Sequence, residues 1–164
     1  MTRSSAKRLY FLRHGLADRS AWNGSDYERP LTPTGRDRMI HEAKSMANLN
    51  LSLELILTSP LARAYQTAEI VAEQLDLIEH LQVEERLGLG FGSADLAATL
   101  AENSSAENIM LVGHEPDFSL TISEITGGGD IVCKKGSLAR IDLFSSEPPA
   151  GQLVWLIPPK VLAG

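Results

Sequence analysis

Hydrophobic positions along the 164-residue chain cluster in two ways. Leu9–Leu12 (LYFL), Leu53–Thr58 (LELILT) and Asn108–Val112 (NIMLV) are short, dense apolar runs. Their length and branched or aromatic content predict strands covered on both faces, which need no polar alternation. Between them the apolar period lengthens to that of a helix. Thr32-Pro33 reads as an N-cap followed by proline at the first helical position, and Met39, Ala43, Met46 and Ala47 then form one face. Leu61, Ala64, Ala68, Val71, Ala72 and Leu75 mark a second helix, and Ala94–Ala101 a modest third. A fourth follows Pro116 through Phe118, Leu120, Ile122 and Ile125, and Gly127-Gly128-Gly129 stops it. Leu81–Glu84 is expected to be a short edge strand. Leu138–Phe144 and Gln152–Ile157, with Pro148-Pro149-Ala150-Gly151 between them, predict a terminal hairpin or adjacent strands.

Strands alternating with helices imply a three-layer α/β/α sandwich around a mostly parallel sheet. The length suits a single domain spanning 1–164. A net charge of −6 and the lack of a long basic run argue against a nucleic-acid or anionic-membrane surface. Cys133 has no second cysteine to pair with, which suits a reducing compartment. The basic start (Arg3, Lys7, Arg8) leads into only four apolar residues, too few for a secretion signal. A cytoplasmic protein is the expectation. The helices offer no obvious spare apolar face, so a monomer is expected as well.

Polar chemistry is concentrated where the strands should end. The first run stops at Arg13-His14-Gly15, the second leads into Ser59 and Arg63, and the third into His114-Glu115-Pro116. In parallel α/β sheets ligands bind beyond the carboxyl ends of the strands. RHG by itself is better read as ordinary polar residues leaving a core strand, and it is the other two strand ends that change this. Arg63 falls in the first turn of its helix, where the dipole disfavours a cation. It is either a functional residue or a surface arginine paired with a carboxylate. The stretch 16–31 has no apolar period, and its position after the first strand makes it a wall of any site. Trp22 and Tyr27 within it are expected to pack onto the domain. The glycine-rich 86–92 segment lacks nucleotide-binding spacing.

Two arginines, two histidines and helix N-termini brought to one crevice form a site for a dianion such as phosphate. A neutral imidazole there can also attack phosphorus and carry the phosphoryl group. Metal binding by His14 and His114 is the weaker reading, because neighbouring guanidinium groups repel a cation and no third ligand of matching pattern is present.

LYFLRHG, RPLTPTG, SPLARAYQTA and LVGHEPD resemble, in order, the signatures of the histidine phosphatase superfamily, the phosphoglycerate-mutase-like fold. KKGSLARIDL and WLIPPKVL look like its SixA-type phosphohistidine phosphatase branch. The resemblance implies His14 as nucleophile, Arg13 and Arg63 as phosphate clamps and His114 as a stabiliser of the transferring group. Gly15 and Ser59 are expected to contact the phosphate, with no metal and no cofactor. Many superfamily members carry an acid for the leaving oxygen. Glu84 and Glu85 lie in roughly the right region, but their surroundings do not match that motif, so solvated carboxylates are the better reading. Phosphohistidine has a good leaving group and tolerates the loss of an acid, whereas an alcohol does not. The implied substrate is therefore a phosphorylated protein, such as a histidine phosphotransfer domain in signal transduction. A small-molecule phosphomonoesterase or mutase is the alternative, and a non-catalytic phosphate-binding module the more distant one.

Overall fold

The computed structural model describes residues 7–20 and 22–164. Its six-stranded sheet has the order β3-β2-β4-β1-β5-β6. Four strands are mutually parallel: β1 (Arg8–Arg13), β2 (Leu55–Thr58), β3 (Leu81–Val83) and β4 (Asn108–Gly113). Beyond β1 lie β5 (Leu138–Ser146), antiparallel to it, and β6 (Pro149–Ile157), antiparallel in turn to β5. The expected hairpin is present, but Pro149, Ala150 and Gly151 belong to β6 rather than to the connection. Leu81–Val83 is the edge strand.

The uninterrupted apolar runs are explained by what lies on each face. Leu9, Phe11, Leu57, Ile109 and Leu111 point into one core with Leu96 and Leu100 of α3 (Ser93–Glu102) and Phe118 and Ile122 of α4 (Asp117–Ile125). Tyr10, Leu12, Ile56, Met110 and Val112 point into the other, with Met39 and Ala43 of α1 (Pro33–Met46) and Ala68 and Val71 of α2 (Ala62–Gln74). Successive side chains of a strand face opposite ways, so two cores require apolar residues at every position. Thr32 caps α1 as expected, its Oγ1 accepting from the Gly35 N–H at 2.9 Å.

Two assignments to apolar faces fail. Ala47 is the exposed residue just past α1, and Leu120 is 65 % exposed on α4. Leu120 lies two residues from both Phe118 and Ile122, spacing that turns it away from the buried stripe. A final turn, α5 (Pro159–Leu162), tucks Leu162 into the α1 side of the core. Four residues are too few to display a helical period, and the pattern did not reveal it. Among the described residues, no helix is long and apolar enough to cross a membrane.

The register places the chemistry. Arg13 pairs with Gly113 across β1 and β4, and Thr58 with Val112 across β2 and β4. The residues that follow, His14, His114 and Ser59, therefore emerge at one level on one edge. Two backbone bonds extend the ladder there, His14 N–H to Gly113 O at 3.1 Å and Ser59 N–H to Val112 O at 3.0 Å.

Candidate active site

His14 is 5 % exposed, and its Nδ1 lies 2.7 Å from the carbonyl oxygen of Gly15. A carbonyl can only accept, so Nδ1 carries the proton and Nε2 keeps the lone pair. Burial drives the His14 pKa from 6.5 down to about 3, with the charges of His114, Arg63 and Arg13 adding to it against the raising effect of the Gly15 bond. The imidazole is therefore neutral at physiological pH and fixed in one tautomer. Its backbone is held as firmly, since the Gly136 N–H reaches both the Arg13 and His14 carbonyls, at 3.0 and 3.1 Å.

The second histidine, His114, stands 5.3 Å from His14 between ring centroids, tilted by 55°. Its Nε2 is 2.7 Å from Ser59 Oγ. That hydroxyl oxygen also accepts the Leu61 N–H at 3.1 Å, and among the described residues Nε2 is the one acceptor within reach of its own proton. The ring N–H is then on Nδ1, which is buried without a partner. Burial, followed by the charge of Arg63, lowers the His114 pKa to about 4. A neutral imidazole with an unused N–H donor is the result.

Arg63, on the first turn of α2, is 3 % exposed. Its guanidinium donates to the Asp26 carbonyl at 2.9 Å and to Asp26 Oδ2 at 3.2 Å. The other carboxylate oxygen of Asp26 receives Arg29 at 3.1 Å, and Arg29 also donates to the Ala17 carbonyl. One aspartate thus holds two arginines, and these bonds tie Asp26 and Arg29 to the start of α2 and to the Ala17 backbone. Burial opposes the ionisation of Asp26, but Arg63 and Arg29 outweigh it and its pKa falls. Arg13 is anchored through the Cys133 carbonyl at 2.9 Å. The Nε atoms of both Arg13 and Arg63 are buried without partners.

Arg13, His14, Arg63 and His114 line one pocket of about 440 Å³ together with Arg29. Among the described residues, Arg19 and Lys135 bring its cations to five, against two carboxylates, Asp18 and Glu115. A protein with a net charge of −6 thus has a locally positive crevice, which attracts an anion to the donors.

The other expected residues are placed apart from these four. Gly15 and Ser59 do not line this pocket. Ser59 is fully buried behind His114 and orients it, while the Gly15 N–H bonds Thr67 Oγ1 at 3.1 Å. Glu84 and Glu85 are absent from the lining too. Glu84 is bound by Arg86 at 3.2 Å, and Glu85 is exposed in a 3-10 turn, Glu85–Leu87. The pocket carboxylate beside His114 is instead Glu115, whose Oε1 accepts the Ser119 N–H at 2.7 Å. Trp22 and Tyr27 do not pack inward, being 36 % and 53 % exposed, and Trp22 is tied locally to the Ser25 carbonyl at 2.8 Å. Arg29 and Asp26 were not anticipated as site residues. Their one signal was the Asp-Tyr-Glu-Arg spacing, which pairs opposite charges three residues apart in an otherwise patternless loop. Among the described residues no group of histidine, cysteine, aspartate and glutamate could hold a metal ion.

Comparison with known proteins gives a family and a fold. Residues 9–92 match the histidine phosphatase superfamily (branch 1). An uncharacterized protein of Picosynechococcus sp. is 43 % identical over 115 residues, covering 67 % of each chain. The phosphohistidine phosphatase SixA of Escherichia coli is 30 % identical over 125 residues, 74 % of this chain and 75 % of its own. Among solved structures, the protein histidine phosphatase SixA complexed with tungstate superposes with a TM-score of 0.83 at 25 % identity, covering 93 % of this chain and 97 % of that one. The mycobacterial glucosyl-3-phosphoglycerate phosphatase shares the fold, with a TM-score of 0.72 at 18 % identity over 92 % of this chain and 99 % of its own.

Proposed function

The chain belongs to the histidine phosphatase superfamily, among its SixA-type phosphatases, and on that premise we propose that it hydrolyses protein phosphohistidine through a phosphorylated His14. The observation that carries this reading is the Nδ1 bond of His14 to the Gly15 carbonyl. It leaves the Nε2 lone pair on a neutral ring inside the cationic pocket.

In the first step Nε2 attacks phosphorus in line, and the phosphorus–nitrogen bond to the substrate's ring, which is protonated on its other nitrogen, breaks so that neutral imidazole leaves with the electron pair while His14 keeps its Nδ1 proton. Arg13 and Arg63 hold the equatorial oxygens, and the His114 Nδ1–H donates to one of them. Each of these three side chains lines the pocket and keeps a nitrogen without a hydrogen-bond partner, which supports their role as donors to the transferring group. In the second step water attacks phosphorus, the phosphorus–Nε2 bond breaks with its electron pair returning to Nε2, and the water's surplus proton passes to a phosphate oxygen, so that neutral His14 and inorganic phosphate result. Asp26 keeps Arg63 in position throughout.

The choice of substrate rests on the leaving group. Neither Glu84 nor Glu85 reaches the pocket, and the Glu115 carboxylate is engaged by the start of α4. Imidazole leaves without strong acid assistance, whereas an alkoxide does not. A second reading, hydrolysis of small phosphate esters, draws on Glu115 itself, a carboxylate in the pocket wall that could protonate a leaving oxygen.

The deciding experiment compares turnover of a phosphohistidine-bearing phosphotransfer protein with a panel of small phosphate esters, for the native chain, His14→Ala and Glu115→Gln. Rapid loss of protein phosphohistidine, abolished by His14→Ala and retained by Glu115→Gln, is expected. Turnover surviving in His14→Ala overturns the nucleophile. Preferential ester turnover that collapses in Glu115→Gln transfers the assignment to the second reading.

A further inference from the structure

A larger cavity, about 520 Å³, opens between α1, α5 and the 134–136 turn. It shares Arg13, Leu16 and Lys135 with the phosphate pocket, so those side chains form the partition between the two. Its walls are mainly apolar, from Met39, Pro159, Ala163 and the aliphatic parts of the basic residues. Glu42 of α1 forms part of its wall, only 2 % exposed, with Oε2 buried and without a hydrogen-bond partner. Around the mouth stand Arg38 on α1, Lys134 and Lys135 on the turn and Lys160 on α5, all exposed.

Each feature selects part of a ligand. Binding cavities of a few hundred cubic ångströms, apolar with a few placed polar groups, are the usual form of a small-molecule site. An unpartnered buried carboxyl is uncommon, because leaving such a group unpaired is costly. Burial pushes Glu42 up to about 8, with Arg38 only partly opposing. At neutral pH it is a carboxylic acid, offering one donor and one acceptor and leaving the positive rim uncompensated. Gly136 is shaped to this side chain: a Cβ there would fall 2.6 Å from Glu42 Oε1, and the backbone φ is +84°. The charge at the mouth favours an anion and disfavours a free amine.

We propose that this cavity is a second ligand site, separate from the phosphate pocket, for a small monoanionic amphiphile. Its flat or aliphatic body fills the apolar walls, a hydroxyl or carbonyl at one end pairs with Glu42, and a carboxylate at the other meets the lysine rim. No part of this depends on which phosphorylated substrate the enzyme takes.

The test uses hydroxynaphthoate, with carboxylate and hydroxyl at opposite ends of an apolar ring system, and naphthoate, which lacks the hydroxyl. Fluorescence titration and calorimetry on the full chain should give one saturable site per chain, and hydroxynaphthoate should bind about ten-fold more tightly, the equivalent of one buried hydrogen bond. Glu42→Leu should erase that preference while still binding naphthoate. Ala163→Trp, which fills the cavity from the chain's last turn, and Lys160→Glu, which reverses one rim charge, should each weaken both probes. Both variants should keep the native unfolding midpoint and turnover. Saturating inorganic phosphate should leave the probe bound. Absence of saturable binding, binding indifferent to Ala163→Trp, or displacement of the probe by phosphate overturns the proposal.

Discussion

At the scale of single residues, the decisive property is the charge state of the histidine pair. Imidazole attacks phosphorus only when neutral, and both rings are buried beside guanidinium groups that disfavour a second positive charge. His14 should therefore titrate far under 6.5, toward 3, and His114 toward 4. Ring-proton chemical shifts of the phosphate-free enzyme measure this directly, and a His14 midpoint near 6.5 would remove the physical basis for a pre-formed nucleophile. The same shifts carry a stability consequence. Both folded pKa values lie under the unfolded value, so the unfolded chain binds more protons as pH falls. Stability from these two sites is complete above 6.5 and declines as pH drops toward about 3. Arg63 illustrates what a sequence can and cannot expose at this scale. Its conflict with the helix dipole is a local feature and was legible. Its partner Asp26 lies 37 positions away in the chain, and no local pattern connects two residues across an aperiodic loop.

At the scale of elements, the site is as exact as the packing that positions the strand ends. Gly113 is the last residue of β4, and a Cβ there would fall 2.7 Å from the ring of Phe118 on α4. Phe118 in turn meets Phe11 of β1 edge to face, with centroids 5.0 Å apart. A methyl group at 113 must push this ring and with it the helix start that follows His114. Gly113→Ala should cost about 1–3 kcal/mol of stability through overpacking, and should lower turnover more than it weakens phosphate binding, because His114 is displaced while the arginines are not. Urea unfolding and steady-state kinetics separate the two effects, and a variant of native stability and rate would show that α4 yields without cost. The strands and the four longer helices were legible because both periods run long enough to register. Failures fell on features set by tertiary contact, such as the outward turn of Leu120 and the recruitment of Pro149–Gly151 into β6 by pairing with β5.

At the scale of the whole molecule, charge is distributed against its average. The chain carries −6 overall, yet five cations and two carboxylates face the phosphate pocket. The convergence of Arg13, His14, Arg63 and His114 could be read from the sequence because parallel strands share one carboxyl edge. The strand order could not, since crossover connections leave no mark in local periodicity. Nor could Arg29, Arg19 and Lys135, which reach the pocket from a loop and a turn whose paths are fixed only by folding. This concentration of positive charge sets up strain among like charges that a bound dianion relieves. Phosphate should consequently stabilise the folded state, by about 2.7 kcal/mol at a hundred times its dissociation constant. For a chain of this size that is a rise of about 5–10 °C in the unfolding midpoint. Arg63→Ala should remove most of the rise, and added salt should diminish it, since part of the attraction is long-range. A thermal scan with and without phosphate reads all three. An unchanged midpoint at saturating phosphate would mean that Asp26 and the loop carbonyls already satisfy these arginines, and that the crevice is not a dianion site.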